Sequence, residues 1–138
     1  LYAVLSFLRQ EGDAYNRTTT LAGEYAAAWT VESMSGVRRS CIGALPAFVR
    51  RRVLLSEARA LVRRSFEGSR ATMRVRRGVA RVDVRASVFC AVREPVAHPL
   101  CGFYAAAFAT MLARFGLESA VTVESCRGTG AETCMLSV

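Results

Sequence analysis

Apolar positions change period twice along this chain, and each change marks an element boundary. Leu21, Tyr25, Ala28 and Trp29 recur at helical spacing, which predicts a helix from Leu21 to Met34 with Thr19 or Thr20 as N-cap and the Ser35-Gly36 pair as its end. Cys41 to Phe48 is interrupted by Gly43 and Pro46 and reads as a turn or a brief helix, with Pro46 near its start. From Pro46 to Phe66 the apolar positions Leu54, Ala58, Leu61 and Val62 fall on one face, with Arg52, Arg59 and Arg63 off it and Gly68 as C-cap.

After Gly68 the period drops to two. Met73 and Val75, then Val79, Val82 and Val84, are interleaved with Arg74, Arg76, Arg81, Asp83 and Arg85 around an Arg77-Gly78 turn, the pattern of a hairpin. Ser87 to Val92, rich in Val and Phe, predicts a third, more buried strand, left by a loop that Pro95 and Pro99 bracket. Gly102 to Phe115 is apolar nearly all round and predicts a core helix stopped by Gly116. Ala120 to Cys126 and Glu132 to Val138 alternate again, joined by the Arg127-Gly128-Thr129-Gly130 turn. The order predicts an α+β fold in one ligand-binding domain spanning 1–138: N-terminal helices packed on an antiparallel sheet, then a core helix followed by a C-terminal hairpin.

Composition supports this picture and narrows it. With 138 residues, 52% of them hydrophobic, the chain can bury a core without disulfides. The most apolar stretch, Phe103 to Phe115, is too short to span a bilayer and contains Arg114. Leu1 to Leu8 lacks a basic leader and a cleavage site, and the chain begins without Met, so it reads as a piece of a longer cytoplasmic protein. All 19 basic residues are arginine, giving a net charge of +8. They concentrate between Arg50 and Arg85, where Phe66 is the one aromatic residue and no known motif accompanies them. A solvated face of helix and hairpin explains that charge better than direct nucleic-acid binding.

Five cysteines, an odd number without a secretory leader, point to reduced thiols rather than a disulfide framework. A hairpin between Cys126 and Cys134 returns their sulfurs to each other at its mouth. Cys101 opens the core helix, where unpaired N–H groups favour a thiolate. Three thiolates suit zinc, which takes four tetrahedral ligands. Glu124, two residues before Cys126 on the same strand face, is the first candidate for the fourth, His98 the second, and a water or ligand group a third. Cys41 and Cys90 read as small buried hydrophobes. Spacing by itself fits a metal site and buried apolar thiols equally.

The segment from His98-Pro99-Leu100-Cys101-Gly102 through the apolar helix to Val123-Glu124-Ser125-Cys126-Arg127-Gly128-Thr129-Gly130-Ala131-Glu132-Thr133-Cys134 resembles the 4-vinyl reductase domain family. The resemblance covers about the last forty residues and rests on the three cysteines and the Cys-Arg-x-x-Gly start of the turn. It implies a ligand-binding α/β fold of a group that includes Golgi transport-complex subunits and haem nitric-oxide sensors. It also implies that Cys101, Cys126 and Cys134 hold structural zinc beside a hydrophobic pocket. The family's acidic ligand stands three positions before the first hairpin cysteine, where this chain has Val123. Members act in bacteriochlorophyll synthesis, one in 8-vinyl reduction, and as sensor domains of phenol-responsive transcription activators.

Independent catalysis is not expected, because the chain has neither a Gly-x-Gly-x-x-Gly fingerprint nor iron-sulfur cysteine spacing. His98, the sole histidine, stands beside Pro99 in a loop and reads as a polar side chain in contact with water, an axial ligand to a tetrapyrrole metal, or a remote candidate for a hydrolase base. The expected function is binding or carriage of a planar hydrophobic small molecule, such as a tetrapyrrole, accessory to bacteriochlorophyll synthesis. Tyr25, Trp29, Phe48, Phe89, Phe103, Tyr104 and Phe108 would line the pocket, with Arg38 or Arg39 holding ligand carboxylates. The alternatives are an effector-sensing domain of a transcription regulator, or an interaction module that pairs with a like subunit, a homodimer included.

Overall fold

The computed structural model describes residues 12–76, 78–92 and 94–138. The Leu1 to Leu8 stretch and Arg77 of the expected turn lie outside the described residues. The first helix, α1, spans Asp13–Glu32 and so begins well before the expected Leu21. Its buried face, Tyr15, Thr19, Gly23, Ala27 and Val31, repeats every four residues, but a run of polar residues from Asn16 to Thr20 hides that period in the sequence. Thr19 is therefore inside the helix, its hydroxyl donating to the Tyr15 carbonyl at 3.0 Å rather than capping. Asp13 in the first turn meets the positive end of the helix dipole.

Helix α2 (Gly36–Ala44) follows directly, capped by the Ser35 hydroxyl, which accepts from the Arg38 N–H. It occupies much of the segment read as a turn or brief helix. Pro46 then N-caps α3 (Ala47–Ser65), whose buried face is Leu54, Leu55, Ala58, Leu61 and Val62. Arg63 and Arg64 sit in its last turn, where cations are favourable.

The hairpin of β1 (Arg70–Arg76) and β2 (Val79–Arg85) turns at Gly78, whose φ of 80° is costly for any residue with a Cβ. The expected third strand at Ser87 to Val92 does not form. Ala86 takes a φ of 52° and swings the chain out of β2, so Val88–Cys90 becomes a 3-10 turn that plugs Phe89 and Cys90 into the core. Helix α4 (Gly102–Ala113) is the expected core helix, ended by Gly116 at φ 69° with the Leu117 N–H returning to the Leu112 carbonyl.

Strands β3 (Thr122–Ser125) and β4 (Cys134–Ser137) complete one antiparallel sheet in the order β1-β2-β4-β3. The last strand is thus inserted between β2 and β3 and pairs with both. Helices cover one face of this sheet. Ala80, Val82 and Val84 of β2 and Cys134 and Leu136 of β4 point into that core, each large aliphatic side chain contributing about 1.5–3 kcal/mol by leaving water. The other face carries the arginines of the hairpin, as the alternation predicts. At the contact of α1 with α4, Gly23 lets the backbones meet: a Cβ there would stand 2.2 Å from the Phe103 carbonyl oxygen.

Candidate metal centre

Four elements each deliver one sulfur to the same point. Cys90 ends the 3-10 turn after β2, Cys101 is the N-cap residue of α4, Cys126 begins the turn after β3, and Cys134 begins β4. The Cys90 Sγ lies 3.3 Å from that of Cys101, 3.5 Å from that of Cys126 and 3.4 Å from that of Cys134, and Cys101 and Cys126 are 3.4 Å apart. All four lie within 4.8 Å of one another, all are buried, and all are free thiols. The three cysteines singled out from the sequence are among them. The fourth member, Cys90, replaces both Glu124 and His98.

Glu124 is displaced by local geometry. The β3 to β4 pairing shifts register between Val123 and Ser125, so Glu124 is the extra residue of a bulge, and the parity that would align it with Cys126 is lost. Its carboxylate instead lies 3.2 Å from Arg81 Nε on the neighbouring surface. His98 is half-buried, away from the sulfurs, with its Nε2 enclosed and unpartnered among the described residues. Cys41, expected to be buried, is exposed on α2. The signal that would have found Cys90 is the Pro95 and Pro99 loop, which returns the chain to Cys101; reading Ser87 to Val92 as a strand concealed it.

The donor set fits one tetrahedral ion. Zinc bonded to sulfur at about 2.3 Å holds its sulfurs roughly 3.8 Å apart, which falls between the observed contacts and their 4.8 Å limit. Four sulfurs so close leave no space for the cube of an iron-sulfur cluster. They also fill every position of a four-coordinate ion, the arrangement of closed structural sites rather than of catalytic ones with an open position.

Electrostatics inside the cluster are uneven. Cys126 is held far below the ordinary thiol range, first by the hydrogen bond from Cys101, then by those from Cys134 and Cys90, with the Leu100 N–H adding to them at 3.3 Å. Cys134 is also lowered, chiefly by Cys101, and accepts the Arg127 N–H at 3.4 Å. Cys101 is pushed up because the bonds to Cys126, Cys134 and Cys90 hold its proton. Cys101 is thus raised although it opens α4, where a lowered thiol was expected. Cys90 is raised as well: the bond to Cys101 lowers it, but those to Cys126 and Cys134 and its burial outweigh that. Metal binding at such a cluster displaces the protons its thiols carry.

Around the sulfurs the backbone is drawn tight. The Cys126 carbonyl accepts the Thr129 and Ala131 N–H groups and the Thr129 hydroxyl, and the Val96 N–H closes on the Gly128 carbonyl at 2.8 Å. A Cβ at Gly128 would stand 2.8 Å from Leu100 and 3.4 Å from the Cys126 sulfur. The same two segments that supply Cys90 and Cys101 carry an aromatic cluster. Phe89 stacks on Phe103 with centroids 4.9 Å apart and 22° between planes, and Tyr104 meets both edge-on. Phe66, missed in the sequence reading, packs edge-on against Phe89 and Phe103.

Of the seven aromatic residues expected around a pocket, Phe89, Phe103, Tyr104 and Phe108 are in the core, but Tyr25, Trp29 and Phe48 are largely exposed. The structure does not bring all seven together. Arg38 is engaged with Glu57 at 2.6 Å, and Arg39 is exposed. No helix among the described residues is long and apolar enough to cross a membrane. Comparison with protein-family models, curated proteins and solved structures found no match, so the centre is defined by this chain's own four sulfurs.

Proposed function

We propose that the chain is a cytoplasmic, zinc-stabilised small-molecule-binding domain of the 4-vinyl reductase type, a carrier for a planar hydrophobic ligand and accessory to a vinyl reductase rather than a catalyst. A tetrapyrrole of bacteriochlorophyll synthesis is the first candidate ligand. The observation that carries this reading is the convergence of Cys101, Cys126 and Cys134, the cysteines on which the resemblance rests, beside the stacked pair Phe89 and Phe103. Metal at the four sulfurs would fix the segments before Phe103 and after Phe89, and so would steady the buried aromatic cluster behind the proposed ligand site. Reduced thiols at this site suit a cytoplasmic setting.

The test is titration of the zinc-loaded protein with protoporphyrin or chlorophyllide, followed through the absorption of the pigment. A saturable one-to-one shift that weakens when Phe89 is replaced by Ala is expected. Pigment spectra identical with and without protein at stoichiometric concentrations would remove the ligand assignment while leaving the metal site standing.

A further inference from the structure

Strand β1 is an outer strand of the sheet, with β2 as its one neighbour among the described strands. The ladder tells which of its backbone groups face outward. Ala80 of β2 exchanges both of its hydrogen bonds with Val138, so its N–H and C=O point away from β1. Val75, which stands opposite Ala80, is therefore in a non-hydrogen-bonded pair, and such pairs alternate along an antiparallel ladder. The backbone groups of Ala71, Met73 and Val75 thus point outward, whereas those of Arg70, Thr72, Arg74 and Arg76 are directed at β2. The Ala71 carbonyl accepts from Arg59 Nε at 3.0 Å, a contact that agrees with this assignment. The N–H and C=O of Met73 and Val75 have no partner among the described residues.

Positive charge flanks this open stretch. On the exposed face of the sheet Arg74 stands directly opposite Arg81, and Arg70 opposite Arg85, and like charges so placed oppose folding. The two acidic residues of the strands are already engaged: Asp83 lies 2.9 Å from Arg85 and Glu124 3.2 Å from Arg81. Arg70, Arg74 and Arg76 are exposed and have no acidic partner among the described residues. On the other side, a groove between β1 and α3 is lined by Arg59, Arg63 and Arg70. Between the arginines the edge offers two apolar side chains, Met73, which is half-buried, and Val75, which is 43% exposed.

We infer that β1 takes up an extended acidic segment of a partner protein as a further strand of the sheet. The segment pairs its backbone with Met73 and Val75, the mode of β-strand addition. Side chains alternate across a sheet, so every second residue of the segment reaches the open face, at intervals of about 6.8 Å, beside Arg70, Arg74 and Arg76. Those between reach the α3 side, next to Met73 and Val75. The fitting sequence therefore alternates Asp or Glu with aliphatic residues. The same charges disfavour two other occupants. A second copy joined edge to edge would set a row of arginines against itself, the device by which sheets keep their edges apart. A nucleic acid has the charge but no peptide groups to pair with Met73 and Val75, and the four strands carry no aromatic side chain on which bases could stack. The inference goes beyond the ligand-binding proposal, and no residue of the metal centre or the aromatic cluster takes part in it.

The probe is a fluorescein-labelled octapeptide of alternating Glu and Val, titrated into the purified chain and followed by anisotropy. Saturable binding with a Kd on the order of 10–100 μM at low salt is expected, weakening as ionic strength rises. Amide exchange read by NMR should slow at Met73 and Val75 on adding the peptide and stay unchanged at Thr72 and Arg74, whose N–H groups are already bonded. That readout uses the natural chain and does not depend on the folding of any variant. Arg74→Glu should weaken binding by about tenfold. Met73→Pro should do the same by removing an outward donor, a change that edge strands tolerate; far-ultraviolet circular dichroism checks that both variants keep the fold. An octapeptide of four Glu followed by four Val should bind about tenfold more weakly than the alternating one. No saturable binding of the alternating peptide, or binding without protection of Met73 and Val75, would overturn the proposal. Equal binding of the block peptide or of a single-stranded DNA octamer would reduce the face to a general anion surface and overturn the strand pairing.

Discussion

The sulfur of Cys90 lies 3.3 Å from that of Cys101, although a loop bracketed by two prolines separates them in the chain. Cys90 is thus the fourth sulfur of the cluster, and Glu124 stands outside it. Replacement of Cys90 by Ser should lower metal affinity as much as replacement of Cys126 by Ser, and by more than the ~10–100-fold that loss of an outer-shell partner costs. Glu124→Gln should keep one metal per chain, because it breaks only the pair with Arg81. Elemental analysis of the three purified variants separates these outcomes, and metal loss in Glu124→Gln alone would refute the assignment.

Removal of the ion should loosen the molecule locally before it loosens it globally. An ion at the four sulfurs would tie together the 3-10 turn at Val88–Cys90, the start of α4 and the loop from Cys126 to Cys134, whereas α3 is held by its own apolar face. Hydrogen exchange after chelation should therefore rise first in those three segments. Acidification should have the same effect, since protons compete with the ion for thiolates and affinity falls as pH falls. Uniform exchange across the chain after chelation would count against a local anchor.

The fold was largely legible in the sequence, and so were three of the four cysteines that converge, whereas Cys90 and the exposure of Tyr25, Trp29 and Phe48 were not. The period-two pattern around Gly78 and the apolar run from Gly102 specify their elements because each is decided by a single buried face. Two features escaped for physical reasons. The early turns of α1 bury Tyr15 and Thr19 among polar neighbours, so its period is carried by residues that do not look apolar. The segment after β2 has strand-like composition, but the left-handed backbone at Ala86 redirects it, and no side-chain pattern announces a single dihedral angle. Losing that turn meant losing Cys90. The bulge at Glu124 is the same kind of event, one residue of slippage that alternation cannot reveal.

A glycine-to-alanine change inside a helix ordinarily stabilises it by up to about 1 kcal/mol. At Gly23 the sign should reverse, because the new Cβ would meet the Phe103 carbonyl oxygen at 2.2 Å and the Ala106 Cβ at 3.2 Å. Gly23→Ala should cost about 3 kcal/mol or more as α1 is forced off α4, a fall of roughly 10 °C in Tm. Thermal melting decides it, and an unchanged or higher Tm would show that the two helices can part without penalty.

Tyr104 supplies an alkaline signature. Burial raises its hydroxyl above the ordinary value of 10.0, against the opposing hydrogen bond with the Ser87 hydroxyl at 3.1 Å. The folded state therefore keeps a proton that the unfolded state releases above pH 10, so this contribution is complete below that pH and is lost as pH rises toward the folded value. Melting measured on both sides of pH 10 should show a steeper alkaline decline in the natural chain than in Tyr104→Phe. That variant should lose about 1 kcal/mol at neutral pH from the missing hydrogen bond. Parallel declines would exclude Tyr104 as the source.

The central place of β4 governs the order in which the protein can be completed. A nascent chain that has reached Thr133 already contains α1 to α4 and β1 to β3, yet β3 has no hydrogen-bonded neighbour and the centre lacks its fourth sulfur. The four residues from Cys134 to Ser137 then act as a clasp, seating between two strands already made and delivering that sulfur in the same movement. Synthesis on the ribosome must therefore run nearly to the end of this sequence before either the sheet or the metal site can close.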